Sequence, residues 1–170
     1  MRRRHLLKSA SVATLVTMLS RYRLAAQPRP DKCSGRAGWP AHIYNSASTW
    51  GDFVYSDAEF ALIQQDLEHA RSLGVSGFVA GVLRPDRTVD GNRMRLLVEQ
   101  ATPLEVTFHR SFDVVADLEH ALEDVIATGC RRLLTSGGAG NVYIGAERLR
   151  RLGVQADERI AIAVGGGLRL

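Results

Sequence analysis

The chain of 170 residues has only two cysteines, three methionines and two tryptophans, and its aromatic fraction is 6%. Cys33 and Cys130 lie far apart and show no metal-ligand spacing, so neither a disulfide framework nor a CxxC site is readable. Cu(I) favours clustered thiolates and thioethers, and the sulfur residues here are dispersed. A free Cys130 is expected to be a buried thiol. No apolar run is long enough to cross a bilayer. No GxGxxG or Walker-type spacing is present, which leaves a nucleotide site without support.

What is present is split by charge. The formal net charge is +4, yet residues 1–50 carry nine basic and one acidic residue, a net of +8. Residues 51–170 carry thirteen basic and seventeen acidic residues, a net of −4. The body is mildly acidic and has no basic stripe to follow phosphates, so nucleic acid is not an expected partner.

Residues 1–50 are read as an atypical N-terminal segment, expected to be disordered. Arg3-Arg4-His5-Leu6-Leu7-Lys8 fits a twin-arginine export pattern, with Ser9 to Ser20 as a short apolar region. Against export, Arg21 and Arg23 follow that region directly, and no small-x-small cleavage site follows.

From Gly51 onward the pattern alternates. Ser56 with Glu59 three residues on forms a capping-box signature, and Phe60, Ile63, Leu67, Ala70 and Leu73 recur at helical spacing up to Gly74. Val75–Leu83 is a near-continuous apolar run, as expected of a parallel strand buried on both faces. Arg84 to Asp90 is a polar loop. A helix over Asn92–Ala101 leads past Pro103 to a strand over Leu104–Phe108. Asp117 caps a helix that Gly129 ends. Strands over Cys130–Thr135 and Ile160–Val164 flank a short helix over Gly145–Leu152, closed by Gly153. Four strands alternating with four helices mean an α/β fold with a parallel sheet, doubly wound or closed as a barrel; the pattern does not choose.

In such folds the loops after the strand C-termini carry function. They are Arg84-Pro85-Asp86, His109-Arg110-Ser111-Phe112-Asp113, Ser136-Gly137-Gly138-Ala139-Gly140 and Gly165-Gly166-Gly167. His109 is a candidate acid or base and Arg110 a candidate anion anchor. Strand alternation would send those two side chains to opposite faces. Asp113 is placed to orient either one. Ser136, Gly137 and Gly138, with Gly165, Gly166 and Gly167, are candidate anion-binding turns, because successive backbone N–H groups cradle anions. Each also reads as an ordinary loop: a surface pair, a loop carboxylate, two tight turns.

These motifs together resemble the CutC (copper homeostasis) family. They are Gly51-Asp52-Phe53-Val54-Tyr55-Ser56, Gly81-Val82-Leu83 with Val89-Asp90, Thr107 through Asp113, Leu134 through Gly138, and Gly165-Gly166-Gly167, in the family's order. The resemblance implies a TIM-type (β/α) barrel, of which residues 51–170 supply about four βα units with parallel strands. It implies a cytoplasmic protein of copper homeostasis, and a central cleft surrounded by His109, Arg110, Asp113, Ser136, Gly137 and Gly138. Copper enters through the resemblance alone; which residues would ligate it is left open.

Two further readings stand beside it: a barrel enzyme acting on a small anionic or phosphorylated substrate, and an exported periplasmic protein. The family's opening strand–helix–strand–helix stretch is not recognisable here, nor is the last helix–strand–helix part. Tyr44-Asn45-Ser46-Ala47-Ser48-Thr49-Trp50 stands where the family has a segment reading M-I-R-P-R-G-G. Read one base later, codons for those residues can spell Ile-Ile-Arg-Pro-Arg-Arg-Gly. The expectation is an out-of-frame N-terminal segment and a truncated, non-functional copy; an in-frame transcript for the same residues would remove it. A partial barrel leaves sheet edges exposed, so marginal stability, aggregation or a homo-oligomer is expected.

Overall fold

The computed structural model describes residues 52–166 and two short strands before them. These strands are β1 (Ala25–Ala26) and β2 (Ile43–Asn45). The remainder of residues 1–50, including the export-like start, and Gly167 lie outside the described residues.

The elements that follow are α1 (Asp57–Ser72), β3 (Gly77–Ala80), α2 (Gly91–Ala101) and β4 (Glu105–Phe108). A 3-10 turn over Arg110–Val114 leads to α3 (Leu118–Ala127), β5 (Arg132–Thr135), α4 (Ala146–Ala156) and β6 (Ala161–Val164). All pairings in the sheet are parallel, in the order β1-β6-β5-β4-β3-β2. From β3 to β6 each strand sits beside its predecessor in sequence. A doubly wound sheet reverses direction at a switch point; an unbroken sequential order is that of a barrel wall.

Helix boundaries follow their local chemistry. Ser56 and Glu59 close the capping box at the start of α1, each satisfying the other's backbone N–H. Asp90 and Asp117 cap α2 and α3 by accepting from Arg93 N–H and His120 N–H. Helix α4 runs further than the sequence suggests. It passes through Gly153 to Ala156, and Gly153 is buried. Glycine costs about 1 kcal/mol in a helix interior; here it and Ala156 line a shallow groove with Ile160 and Ile162.

The core lies between helices and sheet. Phe78, Ala80, Val106, Phe108, Leu133 and Ile162 share one cluster with Phe60, Leu67, Met94, Leu97, Leu122 and Leu152. Alternation then puts Val79, Thr107, Leu134 and Ala163 on the other, inward face of the wall. The loop after β3 is more ordered than its polar sequence implies: Leu83 and Val89 form an antiparallel bridge, and both are buried.

Candidate functional site

Two residues beyond each of those inward positions stand Gly81, His109, Ser136 and Gly165. The sheet hydrogen bonds reach this level: His109 N–H donates to Ala80 O (3.0 Å) and Gly165 N–H to Thr135 O (3.1 Å). All four face inward at the C-terminal rim of β3 to β6, Gly81 level with His109, and Ser136 level with Gly165 one inward layer further on. This is the end at which parallel strands present ligand sites.

The imidazole of His109 lies across Gly81. A Cβ at Gly81 would sit 2.5 Å from His109 Nδ1 and 2.4 Å from Ser111 Oγ, so only glycine fits. Phe53 packs on the outer side of the ring at 5.1 Å between centroids, and Phe108 meets it edge-on at 6.2 Å. Ser111 N–H donates to His109 Nδ1 at 3.1 Å. An imidazole nitrogen that accepts has no proton, so the proton of the neutral ring is on Nε2. Burial among these groups pushes the pKa of His109 down from 6.5 to about 4, and the ring's interaction with its own backbone carbonyl opposes this less strongly. At neutral pH this histidine is uncharged, and its free nitrogen is a donor. That is not the state of a general base.

Arg110 and Asp113 do not follow strand alternation. The 3-10 turn begins at Arg110 and folds its side chain back over β5 and β6. Arg110 Nε donates to Asp113 Oδ2 (2.8 Å), and Nη2 donates to Ser136 Oγ (2.9 Å). The guanidinium rests on Gly166, whose φ is +118°; a Cβ there would be 3.0 Å from Nη1 and 3.1 Å from the guanidinium carbon. Nη1 makes no hydrogen bond among the described residues, and the side chain keeps 43% of its surface exposed.

Asp113 is the hub beneath it, with only 7% of its side chain exposed. Its Oδ1 accepts from Thr135 Oγ1, from Ser136 N–H (3.0 Å) and from Gly138 N–H (3.0 Å). The hydroxyl of Ser136 has one proton and two acceptors in reach, Ala139 O at 2.6 Å and Asp113 Oδ2 at 3.0 Å; the shorter contact takes it. Gly137 N–H donates to Thr135 Oγ1 (2.8 Å), and both Gly137 and Gly138 have positive φ. The turn over Ser136–Gly138 is therefore an anion cradle already filled by the protein's own carboxylate. Asp113 is occupied as an acceptor and is not disposed to move a proton.

The structure thus brings Arg110, Asp113, Ser136, Gly137, Gly138, Gly165 and Gly166 into one cluster, with His109 on the adjoining strand ends. The charge open to a ligand is that of Arg110. Sequence reasoning placed Gly81, Ser111 and Thr135 in motifs but gave them no role; they shape the site from within. The latter two are wholly buried polar residues, Thr135 at the end of β5 and Ser111 in the 3-10 turn after β4, and a small polar residue just past an apolar run was their signal. Arg148 was missed as well; its Nη1 donates to Gly137 O at 3.2 Å and braces the same turn.

These residues do not fit a copper ion. A guanidinium repels a cation, Asp113 has no lone pair facing outward, and His109 presents a proton. No three His, Cys, Asp or Glu side chains among the described residues are grouped to hold a metal. Burial pushes the Cys130 thiol up to about 11, the Thr128 hydroxyl opposing it, so it stays protonated and away from the rim.

A parallel sheet in unbroken sequential order, with polar groups converging at its C-terminal rim, defines a class: the (β/α)-barrel proteins. Residues 46–170 match the model of the CutC family. The chain belongs to the CutC family. It is 50% identical over 119 residues to a CutC family protein of Chromobacterium violaceum, covering 70% of this chain and 48% of that one. It is 47% identical over 120 residues to a CutC family protein of Vibrio cholerae, covering 69% and 47%. The chain thus spans about half the length of the curated relatives it matches. A solved CutC structure from Streptococcus agalactiae, named for copper homeostasis, superposes with a TM-score of 0.70 at 27% identity, over 74% of this chain and 62% of that one.

Proposed function

We propose that this chain serves copper homeostasis as a CutC-family protein, and that it does so by binding a small anionic ligand at Arg110 and not by ligating copper at the rim. The names of its relatives support the first part. One observation carries the second: the Arg110 guanidinium is fixed by Asp113 and Ser136 on the floor of Gly166 while Nη1 stays open. A pre-positioned guanidinium loses little freedom on binding and suits planar or tetrahedral oxyanions. The same site is what a barrel enzyme for an anionic substrate would need, with Arg110 as anchor; His109 would then polarise an oxygen, and would not abstract a proton.

Calorimetric titration with inorganic phosphate tests the site: the wild type binds and Arg110→Gln does not. In a bacterium deleted for its own CutC, copper tolerance is expected to return with the wild-type gene and not with Arg110→Gln. Equal phosphate binding and equal tolerance in both would refute the proposal. The protein is read as cytoplasmic. A reporter fused to residues 1–30 that reaches the periplasm in a twin-arginine-dependent way would move it there.

A further inference from the structure

The inward face of the rim holds a second fixed polar group whose purpose the anion site does not explain. His109 is aimed, not merely tolerated. Gly81 gives up its side chain so that the ring can lie flat across the β3 end. Ser111 N–H takes up Nδ1, and Phe53 closes the outer side. Among the described residues, Ser111 Oγ is the one fully buried side-chain polar atom without a partner. Nε2 of His109 makes no hydrogen bond among the described residues either, and it is not among the fully buried atoms left without a partner.

Resting on the anion-site reading, we infer that Nε2–H of His109 is a fixed hydrogen-bond donor to the far end of the ligand that Arg110 holds. The ring lies over the β3 and β4 ends, and the guanidinium over the β5 and β6 ends. Neighbouring strands are about 4.8 Å apart, so the two donors stand on the order of 10 Å from each other. Hydrogen bonds of about 3 Å at each end leave roughly 4 Å between the ligand's oxygens. A ligand of a few backbone atoms meets a span of that order. The ligand class is a short oxyanion, phosphate or carboxylate, bearing a hydroxyl or carbonyl oxygen at its other end. The imidazole serves this role because its tautomer is set by the backbone: it offers a proton at Nε2 and accepts nothing there.

The test uses the full chain with three probes: inorganic phosphate, glycerol 3-phosphate and malate. Glycerol 3-phosphate, or malate if the anion is a carboxylate, should bind at least tenfold more tightly than phosphate, the effect of one good hydrogen bond. His109→Phe should erase that preference and leave phosphate binding intact. His109→Gln, which keeps an N–H donor and also controls for folding, should retain part of it. Nitrogen NMR of the unmodified protein should find the His109 proton on Nε2. A preference that survives in His109→Phe, or a proton on Nδ1, overturns this inference and leaves Arg110 as anion anchor. Phosphate binding that survives in Arg110→Gln overturns the anion site itself, and this inference with it.

Discussion

Replacing Asp113 by Asn removes one charge and almost no volume, and the structure says what that costs. The carboxylate takes Thr135 Oγ1, Ser136 N–H and Gly138 N–H on one oxygen and Arg110 Nε on the other. An amide keeps one acceptor. Whichever way it turns, its NH2 faces either the guanidinium or two backbone N–H groups. One charge-assisted hydrogen bond is lost, worth about 1.5–3 kcal/mol, and at least one buried donor is stranded, at about 1–3 kcal/mol. Arg110 is partly exposed and regains some hydration, so the expected loss of stability is about 3 kcal/mol, near the low end for a broken buried pair. Urea unfolding at neutral pH, followed by circular dichroism, measures it directly. Asp113→Asn should also release Arg110 and weaken phosphate binding. A variant within about 0.5 kcal/mol of wild type, the range of ordinary surface changes, would show that Asp113 is an accessible loop carboxylate and that the filled-cradle account is wrong.

Two further outcomes follow from the same geometry. The folded-state pKa of His109 is about 4 against an ordinary 6.5, so below pH 6.5 the unfolded chain takes up a proton that the native ring refuses. Stability should therefore fall as pH drops from 6.5 to 4, by about 3 kcal/mol from this residue alone; urea melts at pH 7.5 and 4 should show that component in the wild type and not in His109→Gln. Gly166→Ala forces a Cβ to 3.0 Å from Arg110 Nη1 at a φ of +118°; it should cost about 1–3 kcal/mol and weaken phosphate binding, whereas unchanged binding would mean the guanidinium does not rest on that glycine.

Much of the scaffold was legible. Buried parallel strands leave continuous apolar runs, and Ser56 with Glu59, Asp117, Gly74 and Gly129 mark helix ends by local chemistry that needs no tertiary partner. The apolar runs outlast the hydrogen-bonded strands: Val75–Leu83 contains a strand of only four residues, Gly77–Ala80. Gly153 reads as a stop, yet its helix continues, because packing at that spot outweighs propensity.

At the rim, sequence reasoning named residues that the structure brings together, but not most of their partners. An Asp after a strand reads as orienting His109 or Arg110; it holds Arg110, and its other partners, more than twenty residues away at Thr135, Ser136 and Gly138, are not readable from its position. A glycine-rich turn reads as an empty cradle for the same reason. The turn over Arg110–Val114 carries no periodicity, so alternation wrongly sent Arg110 away from the inward face.

The central claim is that the protein fills its own anion cradle and leaves Arg110 as the seat for a ligand. A crystal of the chain soaked with tungstate, a heavy tetrahedral oxyanion, tests it by position. The account predicts a peak within hydrogen-bonding distance of Arg110 Nη1, with Asp113 still bound to Ser136 and Gly138. A peak between the Ser136 and Gly138 amides with Asp113 displaced, or none near Arg110, would contradict it.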